Sequence, residues 1–114
     1  MTSAADYIAK QYPLTADERT MLVRQIGNMN LLAISGGRVT PILNGVDLPV
    51  SNGYLVRVLL DRASDTYIVQ RVFRRAGQEW VKGERANVYW DELPELAYRA
   101  SCFSSYDENE WEVL

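Results

Sequence analysis

The segment from Tyr54 to Leu60 constrains the fold of this chain more than any other. Its residues alternate with the period of two that is typical of a β-strand. One face carries Tyr54, Val56, Val58 and Leu60, and the other carries Leu55, Arg57 and Leu59. Because a strand with apolar residues on both faces is usually buried on both, we predict that this strand is central in its sheet.

Other short β-rich runs surround this strand and are separated by turn residues. The further predicted strands are Leu31 to Ser35, Arg38 to Leu43, Thr66 to Arg74 and Glu79 to Arg85. The turns between strands are Gly36-Gly37, Asn44-Gly45, Ser51-Asn52-Gly53, Arg62-Ala63-Ser64 and Ala76-Gly77-Gln78. Pro41 lacks the amide hydrogen that a ladder needs, so its strand is predicted at an edge.

The buried face of the strand from Thr66 to Arg74 stays open at this point. Tyr67, Val69 and Phe73 share one face with Arg71, whereas Ile68 and Val72 compete for the core from the other face.

Three helices are predicted at the two ends of the chain. A short amphipathic helix spans Ala4 to Tyr12 and stops at Pro13. A second begins at Thr15, where Thr15 and Glu18 have the spacing of a capping box, and ends near Gly27-Asn28. Its apolar stripe is Met21, Leu22, Ile26 and Met29.

The last helix begins around Asp91 and carries Pro94 in its first turn. Its buried stripe is Leu93, Leu96, Ala97 and Ala100 to Phe103.

Together these elements predict an α+β fold: an antiparallel β-meander of four to five strands with N-terminal helices and a C-terminal helix packed on it. Residues 1–103 form a single domain, and residues 104–114 form an acidic aromatic C-terminal tail. The first residues lack the basic and apolar regions of a signal peptide, and the apolar segments are too short to span a membrane. We therefore expect a cytoplasmic protein.

The composition argues against most familiar catalytic chemistry. The chain has no histidine, and Cys102 is its only cysteine. A Ser-His-Asp triad, a Cys-His pair and a multi-cysteine zinc site are thereby excluded. Turn formation and helix capping account for the acidic pairs Asp61 with Asp65 and Asp91 with Glu92. We expect no enzyme, no cofactor and no metal site.

Charge is segregated along the sequence. A basic stretch contains Arg71, Arg74, Arg75, Lys82 and Arg85, and the chain from Asp91 onward is strongly acidic. The simple interpretation is a solvated sheet face and a solvated tail, and the alternative is a two-signed interaction surface. Because Tyr67, Phe73 and Trp80 interleave with these cations, single-stranded nucleic acid is a candidate ligand. The pI of about 4.9 argues against a nucleic-acid ligand, because an acidic chain repels the phosphate backbone.

The tail places Tyr106, Trp111, Val113 and Leu114 among carboxylates. Three interpretations of the tail are open at this point. It folds back over the sheet, it is disordered, or it binds a partner with Trp111 as the central contact.

Four short blocks in this order resemble a group of short uncharacterised proteins of bacteriophages and bacterial mobile elements. The blocks are Ile26-Gly27 with Asn30, Val56 to Leu60, Asp65 to Tyr67 with Val69, and Val88-Tyr89 with Asp91 and Leu93. The resemblance covers roughly residues 20 to 95 and brings no site with it. It implies a context in which small proteins bind a host protein, including host defence complexes.

The resulting expectation is a non-catalytic interaction protein that binds a bacterial protein or nucleoprotein complex. The predicted partner-binding residues are Arg71, Arg74, Arg75, Lys82, Arg85, Tyr106 and Trp111. An inhibitor of a CRISPR-type or restriction-type defence is one concrete version. The alternatives are a single-stranded nucleic-acid-binding protein and a homo-oligomer in which sheet edges pair between copies.

Overall fold

A computed structural model describes residues 13–102 and the backbone of residues 112–113. The helices of the described part are α1 (Ala16–Ile26), α2 (Asn28–Ser35) and α3 (Leu93–Ser101). The strands are β1 (Thr40–Ile42), β2 (Gly45–Pro49), β3 (Tyr54–Asp61), β4 (Thr66–Arg75), β5 (Gln78–Val88) and β6 (Glu112–Val113). The helix predicted from Ala4 to Tyr12 lies outside the described residues. None of the helices described is long and apolar enough to cross a membrane.

The sheet is an antiparallel meander in which β1 to β5 pair in chain order, so the α+β prediction is confirmed. The strand from Tyr54 is central, as predicted, with β2 on one side and β4 on the other. The strand that contains Pro41 is an edge. The two residues of β6 pair with β5, where Val113 lies opposite Gly83. This part of the predicted tail therefore folds back onto the sheet.

The capping box at the start of α1 is confirmed. Thr15 accepts a hydrogen bond from the Glu18 amide at 3.2 Å, and the Glu18 carboxylate accepts one from the Thr15 amide at 3.0 Å. The helix ends at Ile26 because Gly27 adopts a positive φ of 90°. Leu22 and Ile26, one turn apart, form its buried stripe. Met21 and Met29 were expected in that stripe, but they are 59% and 80% exposed.

The prediction of a strand from Leu31 to Ser35 is wrong, because these residues continue into helix α2. Leu31 and Ile34 are buried at a helical spacing of three. The helix ends at Gly36 in the left-handed conformation, and the Gly36 amide bonds back to the helix carbonyls. The change from a period of 3.6 to a period of two therefore occurs after Ser35.

The last helix is capped one residue later than predicted, at Glu92 rather than Asp91, and its first helical residue is Leu93. The Glu92 side chain does not cap the helix amides but accepts a hydrogen bond from the Tyr89 amide at 3.3 Å, and Pro94 lies in the first turn as expected. Of the predicted buried stripe, Leu93, Leu96, Ala97 and Ala100 are confirmed, Ser101 and Cys102 are only half-buried, and Phe103 lies outside the described residues.

The helices cover one face of the sheet, which we call the helix face. The main core joins the apolar residues of the three helices to Val46 and Leu48 of β2, Val56 and Val58 of β3, Tyr67 and Val69 of β4 and Val88 of β5. We call the opposite side the outer face, where Leu59 and Ile68 form a second buried cluster. Both faces of β4 are therefore buried, which resolves the competition between Tyr67 with Val69 and Ile68 with Val72.

The turn between β4 and β5 permits a test of stability. Ala76 and Gly77 have φ angles of 53° and 78° and connect the paired residues Arg75 and Gln78. A two-residue hairpin turn with two positive φ angles is type I′, in which asparagine is preferred to alanine at the first position. We expect Ala76→Asn to raise the free energy of unfolding by about 0.5–1 kcal/mol.

Urea unfolding of Ala76→Asn and of a control, Ala63→Asn, checks this expectation. Ala63 also lies in an exposed hairpin loop, but its φ is not positive, so its replacement should bring no gain. A loss of stability in Ala76→Asn would contradict the assigned turn.

Candidate interaction surface

The five cations predicted to bind a partner do not share one surface. Arg71 lies opposite Val56 on the helix face and is only 6% exposed. Its guanidinium carbon is 5.1 Å from the centre of the Tyr54 ring. Arg71 was predicted to share a face with Tyr67 and Val69, which is correct, but that face is turned towards the helices. Its burial removes Arg71 from the predicted charged surface.

Arg74 belongs to an ion-pair network on the outer face, which we define as Asp47, Arg57, Arg74 and Glu79. Arg57 donates to both Asp47 oxygens, at 2.7 and 3.0 Å, and to Glu79 at 3.0 Å. Arg74 contacts Glu79 at 2.6 Å and Asp47 at 3.3 Å. The two guanidinium groups hold the pKa of Glu79 below its usual value. Because the network contains two positive and two negative groups, Arg74 brings no surplus positive charge to the surface.

The remaining predicted cations are placed differently. Arg85 lies opposite Val69 and is half-buried, whereas Arg75 and Lys82 are exposed. Of the aromatic residues expected to stack on bases, Tyr67 is buried, and Trp80, which is 43% exposed, stacks on Phe73 with ring centres 5.8 Å apart. Tyr106 and Trp111, the predicted contacts of the tail, lie outside the described residues. Of the five predicted cations, only Arg75 and Lys82 are exposed and lie outside the ion-pair network, and they do not form a basic aromatic face.

A different surface is formed where α1 meets the end of the sheet. Tyr89 and Trp90 follow β5 directly and are 58% and 66% exposed, and Met21 of α1 is 59% exposed. We call Met21, Tyr89 and Trp90 the Trp90 surface. Tryptophan, tyrosine and methionine are enriched where proteins bind one another. Single exposed apolar residues are ordinary, but Met21 and Trp90 also line a common cavity.

This cavity, which we call the Trp90 cavity, has a volume of about 150 Å³. Its lining residues are Glu18, Met21, Gln25, Leu60, Asp65, Tyr67 and Trp90. The spacing of Glu18, Met21 and Gln25 along α1 puts them on one side of the helix. Leu60 and Tyr67, which pair directly across β3 and β4, line the cavity from the sheet.

Polar groups inside the Trp90 cavity are ordered by hydrogen bonds. The Tyr67 hydroxyl donates to Gln25 Oε1. Burial and the nearby negative charge of Asp65 raise the pKa of Tyr67 above its usual value. Tyr67 therefore stays protonated at neutral pH and acts as a hydrogen-bond donor to the helix.

An ion pair beside the Trp90 cavity joins α1 to the β3–β4 hairpin. Arg62, from the β3–β4 hairpin, donates to both carboxylate oxygens of Glu18 on α1. Arg62 also donates to the Pro13 carbonyl oxygen at 2.7 Å. The pair, together with the bond from the Thr15 amide, lowers the pKa of Glu18 from 4.5 to about 2. This pairing fixes the position of α1 against the hairpin.

The Glu18–Arg62 pair predicts a specific acid dependence of stability. Because the folded-state pKa of Glu18 is depressed, its contribution is present above pH 4.5 and is lost as the pH falls towards about 2. The Glu18 side chain is 26% exposed, so solvent screening reduces the contribution to about 1 kcal/mol. We expect Glu18→Gln, which retains a capping side chain, to be less stable than the wild type by that amount at pH 7.

Urea unfolding between pH 7 and pH 2 measures this difference. The stability gap between the wild type and Glu18→Gln should close as the pH falls. A gap of the same size at pH 2 would show that the Glu18 charge is not responsible for it.

The Trp90 surface was not among the residues predicted from sequence. Met21 was placed in the buried stripe of its helix, and Asp65 was explained as a turn residue. In the structure Asp61, not Asp65, makes the side-chain bonds of that turn, to the Ala63 amide at 3.1 Å and the Ser64 hydroxyl at 2.9 Å. The adjacent aromatic pair Tyr89-Trp90 at the end of a strand was the available signal.

The described residues contain no cluster of three or more acidic or cysteine side chains that could hold a metal ion. The Trp90 surface and the Trp90 cavity together present exposed aromatic area and the carboxylates of Glu18 and Asp65. Comparisons of the chain with protein-family models, with curated proteins and with solved structures found no match.

Proposed function

We propose that this chain is a non-catalytic interaction protein that binds a bacterial protein, alone or within a nucleoprotein complex, through the Trp90 surface. The observation that carries the proposal is the exposure of Trp90, at 66%, beside the Trp90 cavity. Leaving a large indole ring in water forgoes the free energy that its burial would release. Contact with a partner would recover that free energy.

The surroundings of Trp90 support a protein partner. Interfaces usually combine a few aromatic anchors with a polar rim. Here the exposed Tyr89 precedes the anchor in sequence and Met21 lines the cavity with it, while Glu18, Asp65 and Gln25 supply polar groups at the cavity. The Glu18–Arg62 pair and the Tyr67–Gln25 bond order the site before a partner arrives. A preformed site loses less conformational entropy on binding.

The alternative of a single-stranded nucleic-acid binder has less support from the structure. It needs a continuous positive surface, and among its predicted contacts Arg71 is buried and Arg74 is neutralised by Glu79 and Asp47. The exposed cations Arg75 and Lys82 remain as possible contacts to a nucleoprotein partner.

The class of partner follows from the resemblance to short phage and mobile-element proteins. Proteins of that kind commonly act in the cytoplasm of a bacterial host by binding host proteins. Host defence complexes, CRISPR-type complexes among them, are therefore the first partners to test.

The test is an affinity capture from bacterial lysate with three baits: the wild type, Trp90→Ala and Trp80→Ala. Trp80 is the matched control because it is also exposed, at 43%, but lies on the β4–β5 hairpin away from the Trp90 cavity. Each bait is tested with and without nuclease. We expect a partner that survives nuclease, is retained by Trp80→Ala and is lost with Trp90→Ala.

Two results would overturn the proposal. Equal capture by Trp90→Ala and the wild type would place the interface elsewhere. Capture that disappears after nuclease, while Trp90→Ala has no effect, would favour nucleic-acid binding. If the expected partner is captured, the purified partner must also bind the purified wild type directly.

A further inference from the structure

We propose that the Trp90 cavity receives an arginine side chain of the partner protein. This inference rests on the proposed function, because it identifies the chemical group that the Trp90 surface recognises. It is carried by the size of the cavity, its apolar walls and the charge of Asp65.

The size of the cavity restricts its occupant. A volume of about 150 Å³ is well below the several hundred Å³ of a pocket for a drug-sized molecule. Cavities of about this volume hold a group the size of benzene. One side chain of a partner therefore fits better than a separate metabolite.

The walls suit the aliphatic part of a long side chain. Met21, Leu60 and Trp90 line the cavity with apolar atoms from a helix, a strand and a loop. The exposed indole of Trp90 also offers an aromatic face, which attracts a guanidinium group through the ring quadrupole. Arginine can thus bury its methylene groups and keep its charge at the rim.

The charge at the cavity selects a cation. Glu18 is neutralised by Arg62, whereas Asp65 forms no ion pair with any other described residue. Its negative charge is nonetheless close enough to Tyr67 to raise the pKa of that hydroxyl. An acidic ligand would be repelled by Asp65, and a neutral aromatic ligand would cover the carboxylate without pairing it.

Arginine is preferred to lysine by the same geometry. Its planar guanidinium can stack on an indole ring and at the same time donate to a carboxylate. A lysine ammonium is more strongly hydrated and does not stack in this way. Trp90 and Asp65 together therefore favour a guanidinium.

The test is a titration of the ¹⁵N-labelled full chain with three blocked tripeptides, acetyl-Gly-X-Gly-amide, in which X is arginine, citrulline or lysine. Citrulline has nearly the shape of arginine but no charge. We expect the arginine peptide to shift the Trp90 indole and Asp65 amide resonances, with a Kd on the order of 1 mM, as suits a single side chain. Citrulline should bind at least about fivefold more weakly, and lysine should lie between the two.

Two variants make the test decisive. Asp65→Asn should remove the preference for arginine over citrulline without unfolding the chain, since asparagine tolerates the positive φ of 54° at this position. Asp17→Asn, an exposed carboxylate in the first turn of α1 outside the cavity lining, should leave the preference unchanged.

The inference is overturned if citrulline binds as tightly as arginine, or if the arginine peptide shifts neither the Trp90 nor the Asp65 resonance. Its failure is separable from that of the proposed function. Partner capture that depends on Trp90 but shows no arginine preference would retain the Trp90 surface and discard the arginine. Loss of both would discard the surface itself.

Discussion

Gly45→Ala should unfold far more easily than the wild type, with a loss of about 3–5 kcal/mol in the free energy of unfolding. Gly45 begins β2 and lies directly opposite Leu59 of β3. A Cβ atom at this position would overlap the Val58 carbonyl oxygen and lie 2.9 Å from the Leu59 Cα atom. Both obstacles are backbone atoms of the central strand, so no side-chain rotation can relieve the clash. The β2–β3 pairing would have to separate.

Thermal and urea unfolding of Gly45→Ala measure this loss, and Gly36→Ala is the matched control. Gly36 has a left-handed φ of 66° at the end of α2, but a Cβ there would meet no atom within 4 Å. Its replacement should cost only the conformational penalty of about 1 kcal/mol. If the two variants lose the same stability, the close approach of β2 and β3 at Gly45 is wrong.

Asp47→Asn should lower the free energy of unfolding by about 3 kcal/mol. Asp47 is only 3% exposed and accepts two hydrogen bonds from Arg57, at 2.7 and 3.0 Å. Replacing its charge by an amide leaves the half-buried Arg57 guanidinium with Glu79 as its remaining carboxylate partner in the network. Removing one member of a buried pair is costly because the other charge stays desolvated.

A surface pair supplies the comparison for Asp47→Asn. Glu95 and Arg99 form an ion pair at 3.0 Å on α3, with the Glu95 side chain 70% exposed. Glu95→Gln should therefore change the stability by less than about 0.5 kcal/mol. Equal effects of the two substitutions in urea unfolding would show that burial does not strengthen the Asp47–Arg57 pair.

Local sequence signals predicted most of the fold. The capping box of Thr15 and Glu18, the central strand from Tyr54 and the edge position of Pro41 depend on neighbouring residues alone, and the structure confirms all three. The error at Leu31 to Ser35 has a physical reason. A short apolar run is compatible with both a strand and two turns of helix, so hydrophobic periodicity does not distinguish the two structures.

The candidate surface could not be predicted in the same way. Met21, Asp65 and Trp90 come from a helix, a hairpin and a loop that are far apart in sequence, and only the packing of α1 against the end of the sheet brings them to one cavity. The burial of Arg71 could be predicted in part. Alternation already placed Arg71 with Tyr67 and Val69, but the side covered by helices depended on tertiary packing.

We propose that Trp90 is exposed in order to bind a partner rather than to stabilise the fold. This proposal is tested most directly by measuring two quantities for Trp90→Ala: the free energy of unfolding and the affinity for the captured partner. We predict a stability within about 0.5 kcal/mol of the wild type and an affinity at least about tenfold lower. A large loss of stability with an unchanged affinity of the folded chain would contradict a binding role for Trp90.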